Sequence, residues 1–134
     1  MTVDTPDIAT PSDVVRLVDA FYERVRADDV LGLIFDEVAR VDWETHLPRM
    51  YAFWGSILFG TPGFTGNPMA VHRALARRTS LTSREFDRWL LLFRRSVDAL
   101  FAGPCAEDAK LRALRIARTM QHHIDLDRGH APVA

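Results

Sequence analysis

Apolar residues recur at spacings of three and four along almost the whole chain, and glycine–proline clusters cut that pattern into helix-sized pieces. Val14, Leu17, Val18, Phe21 and Val25 form one stripe, which predicts a helix over 13–27 with Ser12 as its N-cap. The short run from Leu31 to Phe35, interrupted by Gly32, predicts a tight helical turn or corner. A second long helix is expected over 43–59, with His46, Met50, Phe53, Trp54 and Ile57 inward and a stop at Gly60, Pro62 and Gly63. Asn67-Pro68 supplies a cap and a first helical residue for a short helix reaching Arg77 at most. Thr82-Ser83-Arg84-Glu85 reads as a capping box opening a helix over 83–102, which carries Phe86, Trp89, Leu90, Phe93, Val97 and Leu100 and ends at Gly103-Pro104. A last helix over 106–126 carries Leu111, Leu114, Ile116, Ala117, Met120 and Ile124. Alternating strand patterns are missing, so the expected class is all-α.

The 134 residues suit one domain, 1–134, with 1–11 and 127–134 as frayed tails. Seventeen basic and eighteen acidic side chains leave a formal charge of −1, which disfavours a nucleic-acid binder. Lys110 is the sole lysine among the basic residues. A GC-rich genome produces such a skew, and arginine forks also suit an anionic ligand. The single cysteine, Cys105, excludes an internal disulfide framework. No apolar run is long enough for a membrane span, and the first ten residues do not read as a signal peptide, so a cytoplasmic location is expected.

Few residues offer chemistry. His122 and His123 are neighbours and would diverge on a helix. No HExxH or CxxC motif is present, Cys105 has no placed base, and the glycines at 60, 63 and 66 follow a helix rather than a strand. Tyr22, His46 and Trp89 are different, because each brings a hydrogen-bonding tip on a bulky body into an apolar stripe. His72 stands among Met69, Val71 and Leu75. A histidine so placed is ordinarily a core residue, but one neutral imidazole between apolar helices is also what a haem requires.

The order of these residues resembles the truncated haemoglobins, and specifically their third group. The stretches that carry the resemblance are Phe21-Tyr22-Glu23-Arg24-Val25, Leu33-Ile34-Phe35, His46 with Phe53-Trp54, Gly66-Asn67-Pro68-Met69-Ala70-Val71-His72, and Trp89-Leu90-Leu91-Leu92-Phe93. They span roughly 13–125. The paired glycines typical of the other two groups are missing.

The resemblance implies a two-over-two helical sandwich around haem b. His72 would ligate the iron. Tyr22, His46 and Trp89 would form a polar distal side that serves catalysis. Phe35 would wedge against the porphyrin, and Phe21, Met50, Phe53, Trp54, Phe93, Ile116 and Met120 would wall it. Arg49 and Arg73 would meet the propionates. Pro48 suits only the first turn of a helix, so the second helix either starts near Thr45 or is distorted, and His46 points either into the pocket or out toward solvent. The implied ligands are O₂, NO, CO or peroxide, with an electron-donating reductase as partner and a monomer as the unit. The implied activity is NO dioxygenation or peroxide reduction rather than O₂ storage. The competing reading is a haem-free or haem-based helical sensor or interaction module.

Overall fold

A computed structural model describes residues 4–129. Its elements are α1 (Pro11–Ala27), α2 (Leu31–Leu33) running into a π-helical turn (Ile34–Val38), α3 (Trp43–Phe59), α4 (Pro68–Ala76), α5 (Ser83–Leu100) and α6 (Pro104–Asp127). The described residues contain no strand. α1 packs on α3 and α5, α5 on α6, and α4 rests against α6. The α1–α3 pair lies over the α5–α6 pair as a two-over-two sandwich, and α4 closes one side.

The local signals act largely as their chemistry dictates. Glu85 accepts from the Thr82 backbone N–H at 3.1 Å and from its hydroxyl, which anchors the start of α5. Asn67 accepts from Ala70 N at 3.1 Å and Pro68 takes the first position of α4. The start of α1 differs from expectation. Its cap is Thr10 rather than Ser12: Thr10 Oγ1 accepts from Asp13 N at 3.2 Å, and Asp13 accepts from Thr10 N at 3.0 Å. Only Thr10 has both a proline at the next position and an acid three residues on.

Pro48 also departs from the rule. α3 begins at Trp43 with Asp42 as its cap and runs through Pro48 without a break. The proline lacks the N–H that Glu44 would otherwise receive. Both residues are exposed, so water can satisfy that carbonyl. The corner after α1 is tighter than a normal helix end. A side chain at Gly32 would meet the Arg26 carbonyl oxygen at 2.8 Å, so only glycine lets the chain turn this closely. The π turn that follows, closed by Ala39 N to Ile34 O at 2.8 Å, swings Phe35 inward.

Of the lead-in expected to fray, residues 1–3 lie outside the described residues, and the stretch from Pro6 to Ile8 is docked. Ile8 is buried, and Ala102 N donates to Pro6 O at 3.0 Å. Asp7 caps a distant helix, accepting from Cys105 N at 2.9 Å and Ala106 N at 2.8 Å at the start of α6. Gly103 lets the carboxylate in: its φ is +139°, and a Cβ there would sit 2.6 Å from Asp7 Cγ. Of the expected C-terminal tail, Asp127 still belongs to α6, and residues 130–134, His130 among them, lie outside the described residues.

Burial alone would raise the Asp7 pKa, but its backbone N–H bonds outweigh that and hold it below the ordinary carboxylate value. A lowered folded-state pKa contributes stability above the unfolded value, near ~4, and that stability is lost as the pH falls through the folded one. Asp7→Ala should therefore cost about 1 kcal/mol at neutral pH. The difference in melting temperature between wild type and variant should shrink as the pH drops below ~4. Thermal melts across that range check it, and a constant difference would contradict the cap.

Candidate functional site

A largely apolar cavity of about 190 Å³ lies between α3 and α4, floored by α5 and α6. Elements from the whole chain meet around it. The corner supplies Leu31, Ile34 and Phe35; α3 supplies His46, Arg49, Met50, Phe53 and Trp54; α6 supplies Ile116 and Met120. Tyr22 reaches it from α1, Trp89 from α5 and His72 from α4.

The Asn-Pro start positions His72. Pro68 begins α4, and one turn later His72 Nδ1 lies 2.7 Å from the Pro68 carbonyl oxygen. A carbonyl only accepts, so Nδ1 carries the hydrogen and Nε2 keeps its lone pair. Burial pushes the His72 pKa down, against the opposing pull of the Pro68 bond. The ring is therefore neutral at pH 7 and able to donate a lone pair.

The polar side chains of α1 and α3 meet. Tyr22 is 6 % exposed, and its ring centroid lies 5.1 Å from that of His46 and 5.8 Å from that of Phe35. The imidazole of His46 points inward, with Nε2 buried and without a partner. Burial first, and then repulsion from a protonated His72 and from Arg49, depress its pKa. Burial likewise pushes the Tyr22 hydroxyl pKa up, so it stays a phenol. Trp89 is half-buried in the cavity wall and stacks on Phe93 at 5.6 Å.

Three of the expected residues lie elsewhere. Phe93 is 1 % exposed and packs one layer behind the cavity, stacked between Trp54 at 4.8 Å and Trp89. Phe21 occupies the same second layer, edge-on to Tyr22 at 4.8 Å and to Trp89 at 5.4 Å. Both stripes are right, but periodicity gives a residue's face and not its depth. Arg73 is outside the cavity lining: its Nε and a terminal nitrogen fork onto Asp127 at 2.7 and 2.6 Å. A guanidinium committed to a carboxylate on α6 is not free for a propionate. Arg49 is at the cavity.

Phe64, Leu75, Glu85 and Phe86 also line the cavity without having been singled out. Phe86 and Leu75 were visible as apolar helix positions. Phe64 sits in the glycine-rich loop, where no period marks it, and packs on Phe53 at 5.3 Å. Glu85 is the capping-box acid, whose local role hides its place in the wall.

Two features of this structure bear on whether a haem fits. The cavity wall is largely apolar, and the two half-buried imidazoles each leave a ring nitrogen free, His46 Nε2 and His72 Nε2. Among the described residues no group of three or more His, Cys, Asp or Glu side chains could hold a metal ion. A neutral imidazole with a free lone pair in a largely apolar wall fits a haem.

Comparisons with known proteins give the family. The bacterial-like globin family matches residues 7–125. The group 3 truncated hemoglobin ctb of Campylobacter jejuni is 28 % identical over 120 residues, covering 87 % of this chain and 92 % of that protein. The crystal structure of the group III truncated hemoglobin from Campylobacter jejuni superposes with a TM-score of 0.77 at 27 % identity, covering 92 % of this chain and 95 % of that one. This chain thus belongs to the bacterial-like globin family, whose members bind haem and small ligands, and its fold is that of the group III truncated haemoglobins.

Proposed function

We propose that this chain holds haem b through His72 and uses Tyr22, His46 and Trp89 as a polar distal side. The proposed role is redox chemistry on a small ligand, NO dioxygenation or peroxide reduction, rather than O₂ storage. The observation that carries the reading is the His72–Pro68 bond of 2.7 Å, which leaves one imidazole lone pair free in an apolar cavity that Tyr22, His46 and Trp89 also line. When bound, the haem supplies an iron that takes up O₂, NO, CO or peroxide and changes oxidation state.

The remaining work falls to the chain's own groups. The Pro68 carbonyl polarises His72 and sets its tautomer. Tyr22, kept protonated by burial, and the Trp89 indole N–H are the donors for a ligand with anionic character. Hydrogen bonds to charged acceptors are worth roughly 1.5–3 kcal/mol each. His46, held neutral, can accept or donate at the same place. Phe35, Met50, Phe53, Trp54, Ile116 and Met120 keep water from the macrocycle, and Arg49 is the cation for a propionate. Slow release fits a protein that reacts its ligand in place. The proposed electron source is a reductase, and the proposed unit is a cytoplasmic monomer.

Adding hemin to haem-free protein should give a Soret band that saturates at one equivalent. Reducing that ferric protein with dithionite, oxygenating it and mixing it with NO should then release one nitrate per haem and return ferric protein. Simple displacement of O₂ by NO, with no nitrate, would remove dioxygenation and leave the haem reading standing. Refusal of hemin would favour the haem-free module.

A further inference from the structure

We propose that Trp43 is an electron port, which carries single electrons between the protein surface and the cavity through Tyr22 and Phe35. The proposal rests on the haem reading above. Trp43 is half-buried in the first turn of α3 and does not line the cavity. It touches three rings that do: Tyr22, edge-on at 5.4 Å between centroids, Phe35, stacked at 5.8 Å with a 21° tilt, and His46, edge-on at 5.6 Å. Its indole Nε1–H donates to Asp36 Oδ1 at 3.3 Å, and Asp36 is exposed. The Arg26 guanidinium lies 4.7 Å from its ring centre.

These neighbours decide how the ring can be oxidised. A cation over the face opposes a positive charge on the indole. An electron can leave easily only if the proton leaves with it, and the Asp36 carboxylate is the acceptor in place. Tyr22 is the oxidisable ring between Trp43 and the cavity. The other tryptophans are worse outlets. Trp54 is 3 % exposed, and Trp89, half-buried in the cavity wall, has no carboxylate accepting from its indole N–H among the described residues.

The co-reactants are peroxide in the cavity and a thiol at the surface. Trp43 gives one electron inward and its N–H proton to Asp36. A thiol then gives one electron and one proton, which restores the indole N–H. Asp36 releases its proton to solvent after each round, and two rounds, with two protons taken up from solvent at the peroxide, reduce it to two waters and join two thiols as a disulfide.

The test is to treat haem-loaded protein with hydrogen peroxide in the presence of a nitroso spin trap, and to map the adduct by peptide mass spectrometry. The expected adduct is on Trp43. It falls to background in Trp43→Phe, whose Soret band should also bleach faster because oxidising equivalents no longer drain outward. Asp36→Asn, which removes the proton acceptor, should lower the adduct yield. Protein that keeps its Soret band and consumes peroxide, with Trp43 clean and the trap on Trp89, overturns the port alone. Protein that binds no hemin overturns the haem reading and the port together.

Discussion

Replacing Tyr22 with phenylalanine is expected to speed O₂ release by roughly ten- to a hundredfold. One charge-assisted hydrogen bond is worth roughly 1.5–3 kcal/mol, and about 1.4 kcal/mol is a factor of ten. The substitution keeps the ring, so the edge-on contacts with Phe21, Phe35 and Trp43 survive. Only the hydroxyl goes, and with it a donor that burial holds in its protonated form. Stopped-flow displacement of O₂ by CO measures the rate directly. An unchanged rate would take Tyr22 out of the mechanism and leave the distal hydrogen bonding to Trp89 and His46.

Phe93→Ala is expected to have the largest effect on stability, about 3–5 kcal/mol. Its ring is 1 % exposed and is the shared partner of Trp54, Trp89 and Phe21. Removing it opens a hole under two cavity-lining tryptophans at once. A domain of this size holds only ~5–15 kcal/mol in total, so denaturant unfolding of the haem-free variant should show a midpoint far below that of wild type. The variant should also release O₂ faster, because Trp89 loses the surface that fixes its indole. A small stability loss would mean that the second layer collapses and refills easily.

Much of this arrangement can be read locally. The Thr82–Glu85 box, the Asn67-Pro68 start and the apolar periods give α3, α4 and α5 nearly to the residue, because each depends on neighbours within one or two turns. The residues of the polar trio converge because each lies on the inner stripe of its helix. What periodicity misses is set by distant partners or by depth. Asp7 caps α6 from across the chain, a contact no local pattern encodes. Arg73 finds Asp127, which removes it from the cavity. Phe93 has the right face, and only packing shows that Trp54 and Trp89 stand in front of it. Pro48 suggests a late or distorted helix start, yet α3 absorbs it on its exposed side. The inward setting of His46 follows from that unbroken helix.

The central claim is that one imidazole, at position 72, holds the haem. The visible spectrum of His72→Ala, recorded before and after adding free imidazole, tests it most directly. The account predicts a Soret band in wild type, its loss or marked shift in the variant, and its return when imidazole fills the vacated space. A variant with the same spectrum as wild type, indifferent to imidazole, would contradict it.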